Sequence, residues 1–398
     1  MFKKIYNSSI ILLTILCFSS FMSSCSTEED NENIESTYHS PEELESYLTA
    51  INQEFKEITY LEPVGESSFG KTIWALVISD IPLEYESEPR IRLTGSIHGN
   101  ENITTEILIR FIDFLTSGYN KDQYITELIN TRYLVFIPML NPDGVELESR
   151  YNAREVDLNR NFSISWAPSN HHGDTSFSEL ESASIRDYSL YMQFHSSLSF
   201  HSGAVVVNVP FDYASRFNGG DCPLEYDLVE YLAKVYSKSG KFLETPGILN
   251  NTHVDEGIIN GGDWFYAFGT MQDWSYLQSG CLDFTIEISN EKKPESFEKI
   301  DEIYQYNEES ILAFIDASGM GLYGQITDTD SKPVFAEIII DDADIITTSD
   351  PLGYYHRILL PGSYTILINA ENYEEYSQEI EISEDSPYQE INISLEKL

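Results

Sequence analysis

The sequence predicts an α/β domain, with a mixed central β-sheet and helices on both of its faces, followed by a small all-β sandwich. Three observations carry this reading. Apolar runs of strand length alternate with amphipathic stretches of helical period as far as residue 318. At 398 residues and 41% hydrophobic, the chain can bury a large core. After Ala317-Ser318-Gly319-Met320-Gly321 the pattern changes to short β-branched runs separated by Asp, Gly and Pro turns.

Residues 1–24 carry Lys3 and Lys4, an apolar run over 10–21, and then Met22-Ser23-Ser24. This is a signal peptide, too short to be a stable membrane span. An apolar residue and two small ones directly before Cys25 resemble the bacterial lipobox, which implies that Cys25 becomes a lipid anchor in the membrane. Residues 25–37 read as an acidic, structureless tether. An acidic stretch beside a lipidated Cys also resembles the surface-export signal of Bacteroidetes lipoproteins. The implied address is the outer membrane, facing outward, with the periplasmic side as the alternative.

The α/β domain spans 38–318. Its first helix is announced by Ser40 as N-cap, Pro41 at the first helical position and Glu43 closing a capping box, with Leu44, Tyr47, Leu48, Ile51 and Phe55 on one face. Strands are predicted at 73–78, 91–97 and 133–140, with a helix between the last two bearing Ile103, Ile107, Leu108, Phe111 and Leu115. Further strands fall at 204–209 and 282–288, and a helix through Ile303, Tyr304 and 311–314 ends the domain. The sandwich spans 319–398, with strands at 325–327, 336–340, 354–360, 364–368 and 380–382.

A formal charge of −43, from 66 acidic against 23 basic residues, argues against nucleic acid as a partner. It favours cationic ligands or a well-solvated surface. With Cys17 in the signal peptide and Cys25 as anchor, Cys222 and Cys281 remain, either as a disulfide or as two separate buried thiols.

The chemistry begins at His98-Gly99-Asn100-Glu101, where an imidazole and a carboxylate end an apolar run and can grip one metal ion. Catalytic zinc takes three protein ligands of this kind and keeps a position for water. Among the remaining histidines, His201 stands directly before the apolar strand at 204–209, and His195 is the runner-up.

Around these residues stand Asn141-Pro142-Asp143-Gly144, Arg150-Tyr151-Asn152, Asp157-Leu158-Asn159-Arg160-Asn161-Phe162, Gly269-Thr270-Met271-Gln272-Asp273-Trp274 and Thr285-Ile286-Glu287-Ile288-Ser289. Together they resemble the zinc metallocarboxypeptidase family, in order from about Tyr38 onward. The details are most similar to the carboxypeptidase N/E (regulatory) subfamily, in which a transthyretin-like domain follows the catalytic one; 353–364 resembles that domain's signature.

The resemblance implies one zinc per chain on His98, Glu101 and His201, with Glu287 as the base that takes a proton from the attacking water and delivers it to the leaving amine. Arg150 matches the arginine that polarises the scissile carbonyl, and Asn159 with Arg160 the pair that clamps a terminal carboxylate. Asp212 matches the acidic base of the specificity pocket in members that release Lys or Arg, and Gln272 its polar neighbour. Where the family has a mobile tyrosine over the substrate, Phe265 stands here, with Tyr266 adjacent. Asn290 replaces a common Cys, so Cys281 lacks its usual partner.

The implied activity is release of C-terminal Lys or Arg from extracellular peptides or proteins by a monomer. The alternatives are a zinc peptidase acting on cell-wall peptides, or a catalytically weak surface lipoprotein that binds peptides.

Overall fold

A computed structural model describes residues 38–398 other than Tyr85 and Asp342; the signal peptide, Cys25 and the tether lie outside the described residues. The first helix, α1 (Pro41–Glu54), starts as its sequence dictates. Glu43 N–H donates to Ser40 Oγ at 3.2 Å, and Ser40 N–H donates to Glu43 Oε2 at 2.8 Å. Leu44, Leu48 and Ile51 face the core, each burial contributing on the order of 1.5–3 kcal/mol.

From there the order is β1 (Thr59–Glu66), β2 (Thr72–Ile78), β3 (Arg90–Thr94), α2 (Ile103–Gly118), α3 (Gln123–Ile129), β4 (Tyr133–Ile137) and α4 (Pro142–Glu146). It continues with α5 (Leu180–Met192), β5 (Ser196–His201), β6 (Ala204–Val209), α6 (Tyr226–Lys238), β7 (Ile258–Asn260), α7 (Gly261–Trp264), α8 (Met271–Ser279), β8 (Leu282–Ser289) and α9 (Phe297–Ala317). The eight strands form one sheet, ordered β1-β2-β4-β3-β5-β8-β6-β7. Strands β4, β3, β5 and β8 run parallel in its centre, while β1, β2 and β6 pair antiparallel towards its flanks. Chemistry in such sheets gathers at the carboxyl ends of the parallel strands.

Two predicted strands of the α/β part are shorter than expected, for reasons that matter to the site, and in the sandwich 354–360 shortens to 354–357. The run 91–97 stops pairing at Thr94, because Ser96 takes a left-handed φ of 45° and its N–H donates to Thr104 Oγ1 at 2.9 Å. A side chain at Gly95 would come within 2.6 Å of the Pro138 carbonyl oxygen, so only glycine lets the chain turn there. The strand at 133–140 likewise ends at Ile137.

In the α/β part, sequence periodicity missed β1, β5 and β7 and every helix between α2 and α9. Strand β5 hides because Ser196, Ser197 and Ser199 interrupt its apolar pattern, yet all six residues are buried. Their hydroxyls join a polar row across three strands. Arg92 of β3 reaches Ser197 Oγ at 2.9 Å and Asp283 Oδ2 of β8 at 2.8 Å, and Ser197 and Ser199 donate to Asp283 Oδ1 at 2.6 and 2.9 Å.

The remaining strands are β9 (Gly321–Asp328), β10 (Glu337–Ile340), β11 (Thr347–Thr348), β12 (Tyr354–Arg357), β13 (Gly362–Asn369), β14 (Tyr376–Ile382), β15 (Tyr388–Glu390) and β16 (Ile393–Leu395). They make two sheets, β11-β10-β13-β14 and β12-β9-β15 with β16 also on β9, closed over Leu322, Ile326, Ile338, Ile366 and Ile380. Buried pairs tie them to the α/β part: Arg90 to Asp350 at 2.6 Å and Arg357 to Glu225 at 2.9 Å. Ile345 and Ile358 pack into the larger core. Cys222 and Cys281 are free thiols, the second buried, so the disulfide alternative does not hold. Among the described residues, no helix is long and apolar enough to cross a membrane.

Candidate metal centre and cleft

The turn after β3 delivers His98 and Glu101 to the carboxyl end of the sheet, and His201, the last residue of β5, meets them there. One ligand atom from each lies within 4.8 Å of the others, and all three residues are buried. His98 Nδ1 stands 3.1 Å from Glu101 Oε1, and His201 Nδ1 3.2 Å from Glu101 Oε2. Two imidazole nitrogens and a carboxylate converging in a buried space form a donor set suited to zinc. His201 thus sits at the end of a strand unseen in the sequence, rather than merely before β6. His195, the runner-up, precedes the same strand and lies at its opposite end, where its Nδ1 accepts the Arg90 N–H at 2.9 Å.

The outer nitrogen of His98, Nε2, stands 3.1 Å from Asp157 Oδ1. Arg150 Nε donates to the other oxygen of Asp157 at 2.9 Å. Burial alone would raise the Asp157 carboxyl, but His98, Arg150 and Arg160 outweigh it and hold the group far below the usual carboxylate range. An anion fixed on the far side of an imidazole sets its tautomer and orientation towards a metal. For Glu101, burial is likewise outweighed by His98 and His201, and the carboxyl stays well below its ordinary value. Lys292 Nζ rests on Glu101 Oε1 at 2.9 Å, one more sign that this carboxylate draws cations.

Glu287 pairs in register with His201 across β5 and β8. Its Oε2 is buried and unpartnered, and burial followed by repulsion from Glu101 pushes its carboxyl up to about 8. An orphaned carboxyl oxygen beside such a cluster is placed to exchange a proton with a group bound there.

These groups line a cleft of about 250 Å³ with Arg150, Asn159, Arg160, Asp212 and Phe265. Asn159 is steered by its Oδ1, which accepts the Met271 N–H at 2.9 Å, and Arg160 Nη1 donates to the Asn159 carbonyl oxygen at 2.6 Å. Asp212 is buried, and Asn208 Nδ2 donates to its Oδ1 at 2.9 Å. Burial raises its carboxyl more than Asn208, Thr270 and Arg160 lower it.

Gln272 lies one layer back: its Oε1 accepts the N–H of Thr285, a residue of the cleft wall, at 2.7 Å, and its Nε2 is unpartnered. Of the two aromatic residues considered for the substrate cover, Phe265 lines the cleft, whereas Tyr266 is exposed and stacks on Phe268.

Sequence reasoning quoted Asp157 without giving it a task and passed over Lys292. No local signal marked Asp157, which reads as a solvated acidic residue in a polar loop, two positions before Asn159.

A profile of the zinc carboxypeptidase family matches residues 44–313. Carboxypeptidase SOL1 of Arabidopsis thaliana is 30% identical over 367 residues, covering 90% of this chain and 73% of that protein. Carboxypeptidase M of Mus musculus is 30% identical over 363 residues, covering 87% of this chain and 81% of that protein. The crystal structure of carboxypeptidase A from Helicoverpa armigera shares the fold, with a TM-score of 0.60 at 22% identity over 71% of this chain and 74% of that one.

Proposed function

Because this chain belongs to the zinc carboxypeptidase family, we propose that it is a zinc-dependent carboxypeptidase releasing Lys or Arg from the C-termini of extracellular peptides or proteins. The observation that carries the specificity is Asp212: a buried carboxylate in the cleft wall, raised by burial, which a cationic side chain would relieve through charge-assisted hydrogen bonds.

His98, Glu101 and His201 would hold the metal, and the fit rests on their convergence and on the orphaned Glu287 oxygen beside them. Zinc held there would supply a Lewis acid able to polarise a carbonyl and to lower the pKa of a water towards ~7. Glu287 Oε2 takes the proton of the attacking water and passes it to the departing amine nitrogen. Arg150 donates to the carbonyl oxygen as negative charge develops on it. Arg160 and Asn159 hold the substrate's terminal carboxylate, which restricts cleavage to the last peptide bond. Asp157 keeps His98 in one tautomer and Arg150 in position.

Two further readings belong to the same proposal. Residues 319–398 are a transthyretin-like module, supported by the two small sheets and the signature at 353–364. Cys25 carries the lipid that holds the enzyme at the outer membrane; metabolic labelling with palmitate, abolished by Cys25→Ala, is the expected result.

The central test is metal content together with hydrolysis of peptides ending in Arg, Phe and Glu. We expect one zinc per chain, preference for Arg, and a Glu287→Gln variant that keeps zinc but loses turnover. Equal activity of Glu287→Gln would sink the mechanism, and no preference for Arg would sink the role of Asp212.

A further inference from the structure

A second cavity lies apart from the cleft. It encloses about 590 Å³ where the α/β part meets the small sheets. Its walls include Glu86 to Pro89 directly before β3, whereas His98 follows the carboxyl end of that strand, so cavity and cleft lie at opposite ends of β3.

Three features of the wall point to a ligand. The first is charge: Glu86, Glu88, Glu127 and Asp316 face one guanidinium, Arg132, whose donors are taken by the carbonyls of Ile315, Thr131 and Asp316. The second is a pair of buried polar groups with nothing to bind. Glu88 Oε2 has no hydrogen-bond partner, nor has either ring nitrogen of His356, which is 1% exposed. Backbone groups of Ser318, Met320 and Ser87 lie beside this ring and pull its pKa upward, without offsetting its burial. The third is aromatic: Tyr124, Tyr323 and Tyr388 line the space, and Arg132 already lies over the Tyr388 ring at 5.8 Å.

We propose that this cavity binds a small organic cation, a primary ammonium or guanidinium group, between the carboxylate of Glu88 and the neutral imidazole of His356. The ligand would donate to Glu88 Oε2 and to the lone pair of His356, and lie against the tyrosine rings. Protonation behaviour agrees. Burial, then Arg132, pushes His356 down to about 3, so it accepts rather than repels a cation. Burial, then Glu86 and Asp80, pushes Glu88 up to about 8, so Arg132 and Arg90 leave the acidic wall under-compensated.

Oxygens of Asp80, Glu86 and Glu88 also lie within 4.8 Å of one another, as a metal ion would need. The volume and the rings exceed what a bare ion uses, and the imidazole is better matched to an N–H donor than to a hard oxygen-seeking cation. Because the wall draws on both parts of the chain, the ligand would stabilise their junction.

Agmatine is a suitable probe, having a guanidinium and an amine but no carboxylate for the Arg160 clamp. Calorimetric titration at pH 8 is expected to show saturable binding that Glu88→Gln and Tyr124→Ala each weaken at least tenfold and Asp212→Asn leaves unchanged. Peptide hydrolysis by Glu88→Gln should stay at the wild-type rate. Absence of saturable binding, binding indifferent to both Glu88→Gln and Tyr124→Ala, loss of binding in Asp212→Asn, or calcium binding in place of agmatine would each overturn the proposal.

Discussion

Replacing Asp283 with Asn tests how the sheet is held in register beneath the metal ligands. Arg92 and Asp283 are both fully buried, and their ion pair of 2.8 Å crosses β5 through Ser197. In the register, Arg92 stands opposite Ser197 and Ser197 opposite Asp283, so one polar row pins β3, which leads to His98, and β5 and β8, which carry His201 and Glu287. Asp283→Asn keeps the shape but leaves a guanidinium uncompensated in a fully buried site. Breaking such a pair from one side costs roughly 3–5 kcal/mol, whereas replacing both partners by apolar groups of similar volume is often neutral. Urea unfolding of the zinc-free protein should therefore show a loss of about 3–5 kcal/mol for Asp283→Asn and recovery of most of it in Arg92→Met/Asp283→Leu. A loss below about 1 kcal/mol, or a double variant no better than the single one, would refute the reasoning.

Three other outcomes follow from the same geometry. Asp157→Ala should weaken zinc binding roughly 10–100-fold in chelator competition, since His98 loses the anion that orients it while all three ligands remain. Glu88 contributes a pH dependence with a definite sign. Its carboxyl is raised from 4.5 to about 8 in the folded chain, so its stabilisation is complete below 4.5 and is lost as pH rises through 8. The span of 3.5 units sets an upper limit of about 5 kcal/mol. Unfolding free energies of wild type and Glu88→Gln should accordingly diverge between those pH values in favour of the variant; parallel curves would contradict the burial of Glu88. Arg357→Met should lower stability by about 2–4 kcal/mol in the same unfolding assay, less than a bare buried charge would cost, because Glu225 keeps the Ile345 N–H and the Tyr276 hydroxyl as donors.

How much of this was legible in the sequence depended on whether a residue's partners were near it in the chain. The helix at Pro41 could be read because its cap, proline and apolar face lie within fifteen residues of one another. The pair His98 and Glu101 was legible for the same reason, being three apart. Strand β5 was not. Its serines read as loop until Arg92, 105 residues before Ser197, and Asp283, 86 after it, are seen beside them. His201 could therefore be nominated by its company but not placed. Asp157 failed in another way: an acidic residue in a loop reads as solvated, and only the fold brings it 3.1 Å from His98. The open question of Cys222 and Cys281 required the three-dimensional distance that no spacing contains.

The same distinction explains why the site is buried and yet polar. A sheet built only of apolar strands would hold its register loosely, since a two-residue slip leaves every side chain facing the same way. The row from Arg92 through Ser197 to Asp283 makes such a slip costly by about the 3–5 kcal/mol of an uncompensated charge. Four residues further along β5 and β8, His201 and Glu287 occupy facing positions. Turning the chain at Gly95 and Ser96 then brings His98 over the same strand ends. On this view the metal ligands do not organise the sheet. The register is set by a neighbouring polar row, so the zinc-free protein should keep His98, Glu101 and His201 converged. Circular dichroism of zinc-free and zinc-loaded protein in the near ultraviolet should coincide, and a loss of tertiary signal on chelation would show that the metal, not the row, holds the strands.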